Sequence, residues 1–305
     1  MRRCLPFLLT ALAICAQDDV PLFRTGVSLV KVDVEVEDTA GAGIAGLRPG
    51  EFLVYDEGQP QTIADFASEA EPIHVLMLLD VSPSMSKWLG DLGSKSTEAL
   101  RALRPGDQVA LMGFAARHEL LQPLTTDTKA MGATIIGNIY KQTLGRETVV
   151  NEALLAAAKY MGAQAGKRRA ILIVTDNEGA RKSVMDDEVV RALHAANVVL
   201  SAILVGDTAP VYAKARYESP ALAPPNVERF VTETGGEVIR GAAPANALQP
   251  VLKGLTTRYN FQYTAPAADD GTFRRIRVEL APEAAAKYPG ARIKARSGYT
   301  VGEKK

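Results

Sequence analysis

The sequence predicts an α/β protein: a doubly wound, mostly parallel sheet inserted in a discontinuous β-sandwich built from the two ends of the chain. Three observations predict it. Ile73 to Asp80 is an almost unbroken apolar run that stops at a carboxylate, as a parallel strand covered on both faces does. Between Pro72 and Gly241, such runs alternate with stretches of helical spacing. On either side of that region, apolar and polar residues alternate with period two, the pattern of half-buried antiparallel strands.

The chain opens with Met1-Arg2-Arg3, an apolar run from Cys4 to Cys15, and then Ala16-Gln17-Asp18-Asp19. A basic start, a short apolar stretch and a small-residue exit read as a secretory signal over residues 1–16, too short to span a membrane. A buried first helix is the competing reading, and the two arginines before the run argue against it. Leu12-Ala13-Ile14-Cys15 approximates a lipid-attachment box, but Ile14 is bulky where a small residue is wanted. Cleavage after Ala16 is therefore expected in place of a lipid anchor at Cys15, and the mature chain has no transmembrane helix. The expected destination is periplasmic or secreted.

Cys4 and Cys15 are the only two cysteines of the 305 residues, so a mature chain has no thiolate ligand and no disulfide. His74, His118 and His194 are widely separated and offer no zinc spacing. The 35 basic residues balance 35 acidic ones, which gives a polyanion such as nucleic acid no basic face to bind.

Residues 17–72 form the first β segment. Val30, Val32, Val34 and Val36 alternate with Lys31, Asp33, Glu35 and Glu37, predicting a strand with one apolar and one solvated face over Val27 to Asp38. Further strands are expected at Phe52 to Tyr55 and Gln61 to Phe66, joined by Asp56-Glu57-Gly58. Residues 242–305 supply strands at Tyr259 to Tyr263, Phe273 to Leu280 and within Ala291 to Val301. Each segment is too small to be stable alone, so the two are expected to pack together; two independent β modules are the alternative.

The middle, residues 73–241, reads as strands at Val75 to Leu79, Gln108 to Ala115, Arg169 to Thr175 and Val198 to Val205, with an antiparallel edge at Glu119 to Leu124. Helices are expected over Trp88 to Leu103, Lys129 to Gln142, Asn151 to Ala163, Val184 to Ala196 and Asn226 to Thr234. In such sheets ligands sit beyond the carboxyl ends of the strands, where Asp80 stands.

Asp80-Val81-Ser82-Pro83-Ser84 places two hydroxyls at alternate positions after that carboxylate. On its own the pattern also suits turn and helix-capping residues. It resembles the first motif of the von Willebrand factor type A domain, whose metal-ion-dependent adhesion site holds a divalent cation. Gly145 to Leu154, with Thr148 ahead of a helix, resembles the second motif, and Ala170 to Gly179, a buried run ending at Asp176, resembles the third. The resemblance implies Asp80, Ser82, Ser84, Thr148 and Asp176 as metal ligands. Pro83 and Asn177 stand where the family often has glycine. Gly46-Leu47, Glu51-Phe52, Asp56-Glu57-Gly58-Gln59 and Arg296-Ser297-Gly298-Tyr299 are similar to the flanks of a related family abundant in acidobacteria.

Three hydroxyls and two carboxylates suit a small hard cation: Mg²⁺ takes six oxygens and keeps some as water, with Mn²⁺ or Ca²⁺ as substitutes. The expected function is non-enzymatic: an exported module that captures an Asp or Glu of a protein partner through the cation. A metal-dependent hydrolase and a structural envelope protein with a vestigial site are the alternatives. Against hydrolysis, no histidine lies in any of the three motifs. Trp88 reads as a ring packed beside the first helix, Asp186-Asp187-Glu188 as an acidic helix start, and Tyr212 to Pro225 as a loop near the ligand edge.

Overall fold

The structure is a computed structural model that describes residues 29–67, 71–138, 143–166, 168–206, 219–241, 243–266, 268 and 271–301. The expected signal over residues 1–16, with Cys15, and the Tyr212 end of the proline-rich loop lie outside these residues. Among them, no helix is long and apolar enough to cross a membrane.

The central layer is a six-stranded sheet of β5 (Ile73–Asp80), β6 (Gln108–Phe114), β7 (His118–Thr125), β8 (Arg168–Thr175), β9 (Val199–Val205) and β10 (Val238–Gly241). Its order is β10-β9-β8-β5-β6-β7, parallel throughout except for the β6–β7 hairpin. β5 is therefore an interior strand, and Val75, Leu76 and Leu78 are wholly buried. That is why its sequence has no polar alternation.

Helices cover both faces. α1 (Ser86–Ala99) and α2 (Thr128–Asn138) pack on one, α3 (Val150–Gly162), α4 (Asp186–Ala195) and α5 (Val227–Thr234) on the other. The structure adds α6 (Pro244–Thr256) to the first face, a helix that the sequence reading leaves within the C-terminal β segment. Pro244 at its start and Pro250 within it mask the helical recurrence of Ala245, Leu248, Val251, Leu252 and Leu255, all of them buried.

The two chain ends build the remaining sheets jointly. β1 (Leu29–Glu37) and β4 (Asp65–Ala67) from the amino side interleave with β11 (Tyr259–Thr264) and β13 (Arg292–Ala295) in the order β13-β1-β11-β4. β2 (Phe52–Asp56) and β3 (Gln59–Gln61) join β12 (Phe273–Leu280) and β14 (Gly298–Thr300) in the order β14-β12-β2-β3. A short helix, α7 (Pro282–Lys287), follows β12. The stretches Gln61 to Phe66 and Ala291 to Val301, each expected to contribute one strand, contribute two, and the members of each pair lie in different sheets. Phe52 meets Tyr259 and Phe261 in the shared core, with ring centroids 5.2 and 5.6 Å from its own.

β1 departs from expectation in a way that explains how the units join. Its acidic face is not solvated: Asp33, Glu35 and Glu37 are all buried. Arginines close this second face: Arg258, 1% exposed on its side chain, donates to Glu35 at 2.8 Å and to the Gly235 carbonyl at 2.6 Å. Alternation of apolar with charged residues predicts a wet face only where no counter-charged surface covers it.

Candidate metal centre

β5 and β8 run parallel with Leu79 opposite Val174, so Asp80 and Thr175 end level and Asp176 follows immediately. Asp80 is wholly buried. One of its oxygens accepts from the Ser82 amide at 2.9 Å and the other from the Thr175 hydroxyl at 2.6 Å. The chain then turns through a single 3-10 turn, Pro83–Met85, with Ser82 at its start. Pro83 suits that first position, since its fixed φ is already the one a helical turn needs. The Ser82 side chain does not cap the turn; its Oγ lies 3.1 Å from Ser84 Oγ. The capping reading of the two serines is thus not the one the fold uses. Ser82 is buried and Ser84 exposed.

Thr148 is buried in the loop ahead of α3 and is tethered on two sides. The next amide, that of Val149, donates to the Ala115 carbonyl just past β6 at 3.0 Å. On the other side the turn after Asp176 presses against it: a Cβ at Gly179 would stand 2.1 Å from the Thr148 carbonyl oxygen, so only glycine fits. Asp176 accepts the Glu178 amide at 3.0 Å. Asn177 takes φ of 57°, a left-handed conformation asparagine tolerates, which accounts for asparagine at a place where the family often has glycine. Its amide nitrogen donates to Thr175 Oγ1 at 2.9 Å, and its side chain to the Pro225 carbonyl at 3.3 Å. The described end of the proline-rich loop therefore borders this edge.

Asp80, at the end of β5, and Ser82, Ser84, Thr148 and Asp176, on the three loops around it, thus lie at one edge of the sheet. Burial pushes the Asp80 carboxyl up to about 6, the charge of Asp176 adds to that, and hydrogen bonds from Ser82 and Thr175 oppose it. Among the described residues no lysine or arginine is ion-paired with either aspartate. A buried carboxylate facing a second carboxylate, ringed by hydroxyls and lacking a protein cation, fits an oxygen-seeking divalent ion. Another set of carboxylates, Glu35, Glu37 and Glu237, comes within 4.8 Å, but Arg258, Lys294 and Arg292 pair with it. Cations of the chain already serve that cluster.

Thr175 is the residue that motif reading misses. Its hydroxyl both orients Asp80 and anchors the Asn177 turn. Thr175→Val keeps the shape and removes both bonds; it should cost about 1–2 kcal/mol in denaturant unfolding and weaken Mn²⁺ binding roughly 10- to 100-fold. Unchanged affinity in a titration would show that Asp80 needs no such support. Trp88 packs half-buried, with Gly206 near the outer edge of its ring and Lys87 Nζ 4.0 Å from the ring centroid, as expected of a packing residue.

Residues 75–179 match the von Willebrand factor type A domain. One curated relative, an uncharacterized protein of Borreliella burgdorferi, is 25% identical over 142 residues, 44% of this chain. The chain spans about two fifths (41%) of that relative's length. Among solved structures, an aerotolerance-related membrane protein from Bacteroides fragilis is similar at 17% identity and a TM-score of 0.48, covering 60% of this chain and 98% of its own. A von Willebrand factor type A protein from Catenulispora acidiphila has 13% identity and a TM-score of 0.43, covering 92% and 76%.

Proposed function

We propose, for a chain that carries a von Willebrand factor type A domain over residues 75–179, that it is an exported, non-enzymatic binding module. It takes an acidic side chain of a protein partner at a divalent cation held by Asp80, Ser82, Ser84, Thr148 and Asp176. The observation that carries this reading is the buried, cation-free pairing of Asp80 with Asp176 among hydroxyls at one sheet edge.

When bound, Mg²⁺ would supply a charge that the partner carboxylate can meet directly. The chain's own part is positional. Thr175 and the Ser82 amide fix both oxygens of Asp80, so that it acts best through water. Ser84, the exposed member of the set, leaves the approach open to solvent. Hydroxyls bring no negative charge, so the cation keeps its appetite for an anionic group from outside.

Binding is favoured over hydrolysis by where the histidines lie. His74 starts β5 and His194 lies at the end of α4, both away from the carboxyl edge; His118 stands at that edge level with Asp80, but on the far side of Phe114 of β6, about 10 Å away across two strand spacings. Among the described residues, no histidine hydrogen-bonds to any of the five site residues, as a base positioned for catalysis there would.

Calorimetry with Mn²⁺ should show one site, abolished in Asp80→Ala. Partner capture should be lost in EDTA while the melting temperature of the protein changes little. Equal Mn²⁺ binding by Asp80→Ala would remove the basis of the proposal.

A further inference from the structure

At the opposite end of the sheet, where the parallel strands begin, a cavity of about 450 Å³ opens between the α/β layer and the sandwich. The α/β layer contributes Arg169 near the start of β8, Arg191, His194 and Ala195 of α4, and Asn197. The sandwich contributes Leu29, Val30 and Lys31 of β1, Arg296, and Tyr299 and Thr300 of β14. Four cationic side chains line the cavity, and no acidic residue among those described does.

Arg169 and Arg296 hydrogen-bond to neutral groups, which do not neutralise their charge. Arg169 donates to the carbonyls of Ala196 at 2.9 Å and Gln164 at 2.8 Å. Arg296 donates to the carbonyls of Gly298 and Lys31 and to the Asn197 amide oxygen, at 2.7–3.3 Å. Every acceptor is neutral. A carbonyl completes a hydrogen bond but brings no counter-charge: Arg169 is in no ion pair among the described residues, and Arg296 has Asp33 as a nearby acid but makes no hydrogen bond to it. Burial pushes the Arg296 guanidinium down to about 10. Unpaired donors remain in the wall as well: Arg169 Nε and Asn197 Nδ2 are buried with no partner. His194 Nδ1 is also unpartnered, but with Nε2 donating to the Glu233 carbonyl at 3.0 Å it is the acceptor of a neutral ring and takes no part in holding an anion.

Nearby acids are engaged elsewhere. Asp33, in a small adjoining cavity beside Arg296, takes a hydrogen bond from Asn260 and is pushed toward its neutral form by burial. Asp187 and Glu233 border a second adjoining cavity and pair with Arg229.

We propose that this cavity is a binding site for a small oxyanion, a phosphoryl or carboxylate group, held by Lys31, Arg169, Arg191 and Arg296. Guanidinium forks match the geometry of such groups, and no carboxylate among the described residues lines the cavity itself. Leu29, exposed at the rim, and Ala195 give an organic body on the anion something apolar to lie against. Because both units supply cations, occupancy would also brace the junction between them. The site is independent of the metal edge.

The test is calorimetric titration of the full-length protein with inorganic phosphate and, separately, with citrate, in EDTA and at matched ionic strength in chloride. Saturable binding of either upholds the proposal, and the preference tells phosphoryl from carboxylate. Arg191→Ala and Lys31→Ala, which remove no side-chain hydrogen bond or ion pair among the described residues, should each weaken binding about tenfold, and Arg191→Glu by more. Asp80→Ala should leave the affinity unchanged. No saturable binding of either anion, or equal affinity in Arg191→Glu, would overturn it.

Discussion

Replacing Asp56 with alanine is expected to cost about 4 kcal/mol and to lower the melting temperature by about 10 °C. Asp56 ends β2 and has no exposure at all, yet it carries a carboxylate. Three donors converge on it: the hydroxyls of Tyr263 and Tyr299, both at 2.8 Å, and the Nε of Arg274 at 2.6 Å. Burial and the neighbouring carboxylate push the Tyr299 hydroxyl up to about 12 and raise that of Tyr263 too, so both stay protonated and donating. Alanine would strand two buried hydroxyls and a guanidinium together, and each stranded donor costs more than a hydrogen bond is worth when made. Asp56 lies on the amino-terminal side of the chain, and its three partners come from β11, β12 and β14 near the carboxyl terminus. The loss therefore measures how firmly the two ends are joined. Tyr263→Phe, which removes one donor and leaves the carboxylate its other two, should cost about 1 kcal/mol. Urea unfolding with an unchanged slope checks both, and a loss below that of Tyr263→Phe in Asp56→Ala would mean that the sandwich is held by packing alone.

The α/β layer was legible because its strands are buried on both faces. The run Ile73 to Leu79 admits no strand face turned to water, and the same holds for Ala170 to Val174. Asp80 and Asp176 end these runs, so the carboxyl edge could be placed from sequence. Ser82, Ser84 and Thr148 were legible only through resemblance, since a serine after a strand end is as often a cap. Period-two alternation in β1 correctly gave a strand, but it could not say what covers Asp33, Glu35 and Glu37. The answer lies in Arg258 and Lys294, more than 200 positions along the chain. Arg169 was read only as a strand start and Arg296 only as part of a flanking motif, because neither carries a local pattern of charge and only the fold brings them to one cavity. Thr175, last residue of an apolar strand, looked like part of the run whose final turn it holds.

Arg258→Met is expected to destabilise the protein by about 3–5 kcal/mol at neutral pH, and by less in acid. Arg258 follows α6 and reaches into the seam between the layers, where it holds the Glu35 carboxylate of β1 and the carbonyl at the end of α5. Without it Glu35 keeps only Lys294 as a nearby opposite charge, while Glu37 and Glu237 repel it. Burial already raises the Glu35 carboxyl above its ordinary 4.5, and losing the guanidinium raises it further. In the variant the unfolded chain releases this proton near pH 4.5, whereas the folded chain retains it to higher pH. The unfolded state then binds fewer protons, so stability falls as pH rises from the ordinary carboxylate value toward the raised one. Wild type shares the unfolded value, so the deficit relative to it should be smallest below the already raised wild-type Glu35 value and grow between that value and the higher one of the variant. Glu35→Gln placed on Arg258→Met should recover most of the loss and flatten the pH dependence, because the uncompensated charge is gone. Denaturant unfolding at a series of pH values separates the outcomes: a deficit that is the same at every pH, or is not recovered in the double variant, would assign the effect to the lost bond at Gly235 and to packing, not to the buried pair.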